Sequence, residues 1–221
     1  MQYSGITLQM IAFRGVFATL IVLFGTAVSI QPLAAGPADQ GDSAYRELVA
    51  KASKGDLSID FRALRIACLK ASSCDPRGES KDMVSVRRAM QLKDYGKAAK
   101  LAEALIDHGF VNIEAQAACS QAYEAMNKAG KAKFHHNVTD LLIRSILGTG
   151  DGRTKETAFE VIGTFEEYIV MSVLGLPVLG SQSLMPGKPH SYDVQERNDP
   201  KTGKTVSVYF NIDAFYPPKG L

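Results

Sequence analysis

Five side chains of the kind that move protons or hold metal ions stand out in the sequence: His135, His136, Asp151, Glu167 and Asp193. Drawn together from separate segments, such imidazoles and carboxylates would build a hydrolytic or metal-dependent site. Adjacent residues cannot do this alone. On a helix the side chains of His135 and His136 diverge by about 100° and need a third segment to chelate one ion. His135 shares a flank with Val138 and Leu142, which predicts a half-buried ring at the edge of a core. His136 aligns with Asp140 and Arg144, a solvated charged stripe. Asp151 lies in the run Gly148, Gly150, Asp151, Gly152, which lacks the Lys-Ser/Thr pair of a phosphate loop and reads as a helix cap followed by an Asp-Gly turn. A calcium loop using Asp151, Thr154 and Glu156 lacks the repeated acidic positions such a loop needs. Glu166 and Glu167 open a predicted helix, whose free N–H groups favour carboxylates and suffice to explain them. A catalytic carboxylate pair would need Asp193 from another segment. No nucleophile elbow or zincin motif occurs, and the sequence implies neither a cofactor nor a metal.

The three cysteines are Cys68, Cys74 and Cys119. In an oxidising compartment Cys68 and Cys74 could pair across a short loop; the alternative is that both remain thiols near a helix end. Cys119 reads as a small buried hydrophobe on a helix.

The elements that would position these groups follow from hydrophobic spacing. Tyr45, Leu48, Val49 and Ala52 share a helical face, with Gly55 beyond. Asp60 caps a second helix carrying Phe61, Leu64 and Cys68, and a third starts near Asp82 with Met83, Val86 and Met90 inward. Three more faces follow: Tyr95 to Ile106, Ala115 to Met126, and Phe134 to Ile146. Short turns and many alanines predict closely packed antiparallel helical hairpins. Gly96-Lys97-Ala98 recurs as Gly130-Lys131-Ala132, a shift of 34 residues that matches the tetratricopeptide period, although the Trp and Pro landmarks of that repeat are missing. After Asp151-Gly152 the pattern changes to a strand at 158–162, a helix from Phe165 to Leu174, a short strand around Gln182, and a hairpin of Tyr192–Arg197 with Thr205–Ile212. The expected fold is α+β, with helical hairpins first and a small antiparallel β-sheet with one helix last.

The chain of 221 residues is 46% hydrophobic and 22% charged, which excludes disorder and collagen-like repeats. A formal charge of +2 is far below the basic excess that nucleic acid requires as a partner. Arg14 is the sole charge in residues 1–35, and an uncharged run through Ile30 ends at Gln31-Pro32-Leu33-Ala34-Ala35, the design of a cleavable signal peptide. An uncleaved anchor is the alternative, and Met10 is a second candidate start. The organisation expected is a signal peptide at 1–35, a linker at 36–43, a helical region at 44–150 and a small α+β region at 151–221 packed on it. Cleavage would leave a periplasmic or secreted product that does not engage a membrane.

Several segments, read in order, resemble a bacterial exported family catalogued as domain of unknown function 4919. They include Asp60-Phe61-Arg62-Ala63-Leu64-Arg65, Phe134-His135-His136, Gly150-Asp151-Gly152, Glu166-Glu167-Tyr168, Gln182-Ser183-Leu184, Tyr192-Asp193-Val194 and Tyr209-Phe210-Asn211-Ile212. The resemblance implies an extracytoplasmic protein and brings no activity with it. Two functions therefore stand side by side: a periplasmic module that binds another protein or a peptide through its helices, and a hydrolase or metal-dependent enzyme at the helix–sheet junction. The enzyme requires at least three of the five candidate side chains to converge.

Overall fold

The computed structural model describes residues 37–76, 80–177 and 180–218. The expected leader at 1–35 lies outside them. Six helices come first: α1 (Pro37–Ser53), α2 (Phe61–Lys70), α3 (Ser80–Gln91), α4 (Tyr95–His108), α5 (Ile113–Ala125) and α6 (Ala129–Leu147). Then come β1 (Phe159–Glu160), α7 (Thr164–Val173), β2 (Ser181–Met185), β3 (Tyr192–Asn198) and β4 (Thr205–Asn211). The chain is α+β. The stretch 36–43 expected as a linker is helical from Pro37 onward, because proline at the start of a helix lacks only an N–H that has no partner there anyway.

Local chemistry sets the helix starts. Asp60, Asp94 and Asn112 each accept a hydrogen bond from the backbone N–H three residues on, at 3.0, 3.1 and 3.0 Å. Consecutive helices pack on one another, α1 on α2 and α3 through α6 in series, and α2 also reaches α6. Their contacts are built largely from small side chains: Ala98, Ala99, Ala102, Ala115, Cys119 and Ala122 are all buried. The 34-residue shift has a backbone counterpart. Among the described residues the non-glycines with positive φ are Lys93 (57°) and Asn127 (58°), which end α3 and α5 and lie the same distance apart.

The sheet has the order β1-β4-β3-β2. Its β2–β3 and β3–β4 pairs are antiparallel, but β1 joins β4 in parallel, so the sheet is mixed rather than wholly antiparallel as expected. The long excursion from β1 through α7 permits this, since parallel neighbours require a crossover. Phe159, Val208 and Phe210 join the same apolar core as Leu142 and Ile146 of α6. The loop between α6 and β1 closes on itself. Asp151 and Gly152 donate their N–H groups to Thr157 O, and a Cβ on Gly150 would lie 2.1 Å from that oxygen. The glycines there answer a close backbone approach, and Gly152 (φ 67°) supplies the one left-handed turn position.

Candidate functional site

The five candidate residues fall into four places. His135 is buried on α6, stacked on Tyr123 and met edge-on by Phe134. The Gln116 amide donates through Nε2 to Phe110 O at 2.8 Å, so its Oε1 faces His135 Nδ1 at 2.7 Å, and Nδ1 must carry the proton. Burial lowers the ring's pKa, with the Glu103 carboxylate opposing, so His135 is a neutral, hydrogen-bonded ring. His136 points away and lines a separate shallow depression of about 550 Å³ with Ser120, Glu124 and Lys133. Asp151 is exposed and accepts from Arg153 N and Thr157 Oγ1, bonds that hold its pKa below the usual value. Its role is to shape the turn.

Glu167 and Asp193 do meet, and both are buried. Glu167 belongs to the first turn of α7, Asp193 to β3. Burial first, and the neighbouring Asp193 second, push the Glu167 carboxyl up to about 9 against the smaller opposing pull of the Gln195 amide. At neutral pH Glu167 therefore keeps its proton, with Asp193 as a hydrogen-bond partner. Glu167 Oε1 and Asp193 Oδ1 are both buried, and neither accepts a hydrogen bond from any other side chain. Around them Gln195 Nε2 donates to Glu167 Oε2 at 2.6 Å, Arg197 Nη2 donates to Gln195 Oε1 at 2.6 Å, and Gln182 Nε2 donates to Asp193 Oδ2. Asp193, Gln195 and Arg197 alternate along β3 and so share the face turned to α7.

Glu166 and Glu167 do lie in the first turn of a helix, as expected, but that position does not suffice to explain them, because both are fully buried. Glu166 takes a two-bond grip from Arg65 of α2, whose guanidinium also donates to Ser145 O, Ser145 Oγ and Glu160 O. Ile162 N completes the carboxylate's partners at 2.9 Å. An exposed pair, Arg62 with Glu160, flanks this hub. Together they fasten α2, α6, β1 and α7.

A cleft of about 630 Å³ among the helices was not foreseen from the sequence. Tyr45, Arg46, Val49, Ala50 and Ser53 of α1 form one wall, Glu103, Ile106 and Asp107 of α4 another, and Phe110, Phe134 and His135 close it. Its lining is held in place. Phe110 N donates to Tyr45 Oη at 2.9 Å, His135 is fixed by Gln116, and Tyr123 beneath it donates to Glu103 while Lys131 lies 4.6 Å from its ring centre. Three charges, Arg46, Glu103 and Asp107, surround an apolar and aromatic lining. Alternating apolar faces on α1 and α4 were readable; that they face one another across a gap was not.

Also unforeseen is an exposed pair in which His190 Nδ1 lies 2.5 Å from Asp213 Oδ2 while Asp213 Oδ1 accepts from Ser191 N. Cys68 and Cys74 form a disulfide that ties the end of α2 to the following loop. Cys119 is free and buried, and burial pushes its thiol up to about 12, as befits an inert core residue. Among the described residues no group of three His, Cys, Asp or Glu side chains is placed to hold a metal ion, and no helix is long and apolar enough to cross a membrane.

These features define an α+β protein in which a helical array carries a cleft and a mixed sheet closes over a buried carboxyl pair. The chain belongs to the family described as Domain of unknown function (DUF4919), whose model matches residues 69–217. That span takes in the α4 and α6 walls of the cleft and the Glu167–Asp193 pair, while α1 precedes it. No curated protein and no solved structure matches the chain.

Proposed function

We propose that the chain is an exported binding module that takes up a segment of another protein, or a peptide, in the cleft between α1, α4 and α6. The observation that carries this reading is the cleft itself. It is concave, lined by Tyr45, Val49, Ile106, Phe110 and Phe134, and bordered by charges of both signs. That combination suits an apolar side chain held among polar neighbours of a polypeptide. Hydrogen bonds at Tyr45, Phe110 and His135 hold the lining in shape before any partner arrives, which lowers the entropic cost of binding. The 34-residue recurrence, repeated in the backbone at Lys93 and Asn127, favours a stacked helical array of the kind that presents concave surfaces. The Cys68–Cys74 disulfide and the signal-like residues 1–35 favour an oxidising, extracytoplasmic setting.

The enzymatic alternative, a hydrolase or metal-dependent site at the helix–sheet junction, rests on the Glu167–Asp193 pair alone. His135, His136 and Asp151 lie elsewhere, and both carboxyls are sealed from solvent. The test is capture from a periplasmic extract by the wild-type chain and by Ala50→Trp, which fills the cleft from an exposed position on α1. A partner retained by the wild type and lost by the variant, with thermal unfolding unchanged, is the expected result. Equal retention by both would set the cleft aside as the binding site.

A further inference from the structure

The outer edge of the sheet is built differently from an edge that avoids company. β2 pairs with β3 on one side only, and all five of its residues are exposed. Every second N–H and C=O along it therefore faces away from the sheet with no strand beside it among the described residues. Edges of this kind are normally blunted by charge, proline or a bulge. Ser181-Gln182-Ser183-Leu184-Met185 carries no charge and no proline, and its register against β3 runs unbroken from Ser181↔Glu196 to Met185↔Tyr192. The strand is also fastened from behind. Arg197 Nη1 donates to Ser181 O at 2.6 Å and Gln182 Nε2 donates to Asp193. At the opposite edge β1 is only two residues long and offers almost no template.

We infer that β2 pairs with β2 of a second copy of this chain, antiparallel about Ser183, to join two four-stranded sheets into one. The sequence of the strand favours itself as partner. A two-fold axis at Ser183 lets all five residues pair, placing Ser183 opposite Ser183, Gln182 opposite Leu184 and Ser181 opposite Met185, with no like charges brought together. Leu184, 51% exposed in the single chain, would lie diagonal to its own counterpart on the face shared with α7, within contact range for long side chains. The pairing is independent of whether the helical cleft binds a partner.

Sedimentation equilibrium and site-directed cross-linking test it on the whole chain. The wild type is expected to shift from monomer to dimer mass as concentration rises from micromolar to millimolar. Ser183→Lys, which sets two ammonium groups opposite each other, is expected to weaken the dimer roughly tenfold or more. The native free cysteine is buried, so added thiols report cleanly. A short bis-maleimide should link Ser183→Cys chains readily. It should link Met185→Cys chains poorly, because that position faces Ser181 rather than itself. Monomer mass throughout, a dimer indifferent to Ser183→Lys, or equal linking at both positions would overturn the assignment.

Discussion

Arg65 holds Glu166 in a fork, Nε to Oε1 at 2.8 Å and Nη2 to Oε2 at 2.5 Å, with both side chains at 1% exposure or less. The pair joins the second helix to the seventh across a hundred residues of chain. Breaking one side of it leaves an uncompensated buried charge, so Arg65→Met is expected to lower unfolding free energy by about 3–5 kcal/mol. The double variant Arg65→Met/Glu166→Leu should regain most of that loss, because an apolar pair can fill the same volume without desolvating ions. Urea denaturation of the two variants beside the wild type measures both effects.

Glu167 gives the fold an alkaline weakness with a definite sign. Its pKa rises from 4.5 in the unfolded chain to about 9 in the folded one, so across that window the folded state holds a proton that the unfolded state has released. Stability supplied below pH 4.5 is therefore lost as pH rises towards 9, by up to about 1.4 kcal/mol per pH unit for one proton. Glu167→Gln keeps a donor toward Asp193 and an acceptor for Gln195 but cannot ionise. Its stability relative to the wild type should grow steadily between pH 5 and 9 in denaturant titrations. A constant difference would mean that Glu167 does not hold its proton across this range.

How far the sequence foretold these features depends on whether a residue's partner was local or distant. The caps at Asp60, Asp94 and Asn112 act on the chain three residues away, and the first of them was readable as written. The same holds for the turn at Asp151 and for the alternating strands at the end of the chain. The helix start at Glu166 and Glu167 was legible, but their burial was not, because the partners that make it tolerable, Arg65 for Glu166 and Asp193 and Gln195 for Glu167, are far off in sequence. Asp193-Val194-Gln195-Glu196-Arg197 likewise resembles a strand with a wet outer face. In the fold, Asp193, Gln195 and Arg197 turn inward because each finds a hydrogen-bond partner there. Buried polar networks defeat hydrophobic patterning for this reason: their legitimacy lies in pairings that no local window contains.

Removing the Cys68–Cys74 link, by reduction or as Cys68→Ser/Cys74→Ser, should cost about 2 kcal/mol, the value the chain-entropy account gives for so short a loop. The loss should appear as a shifted denaturation midpoint with little change in slope. Cys119 should remain unlabelled by alkylating reagents until the chain unfolds, since its thiol is buried.

Two glycine substitutions should move stability in opposite directions. Gly150→Ala drives a Cβ to 2.1 Å from Thr157 O, so the loop that leads into the sheet must open, at a cost of roughly 2 kcal/mol or more. Gly130→Ala, in the first turn of α6, has nothing within 4 Å and should gain about 0.5–1 kcal/mol from helix propensity. Differential scanning calorimetry reads both shifts.

On the proposed reading a partner sits in the space between α1, α4 and α6. A photo-reactive residue placed at Ala50, inside that space, and another at Arg153, on the exposed loop before β1, test it in intact cells. A discrete cross-linked species is expected from position 50 and none from position 153. Cross-linking that is equal at the two positions, or absent from position 50, would contradict it.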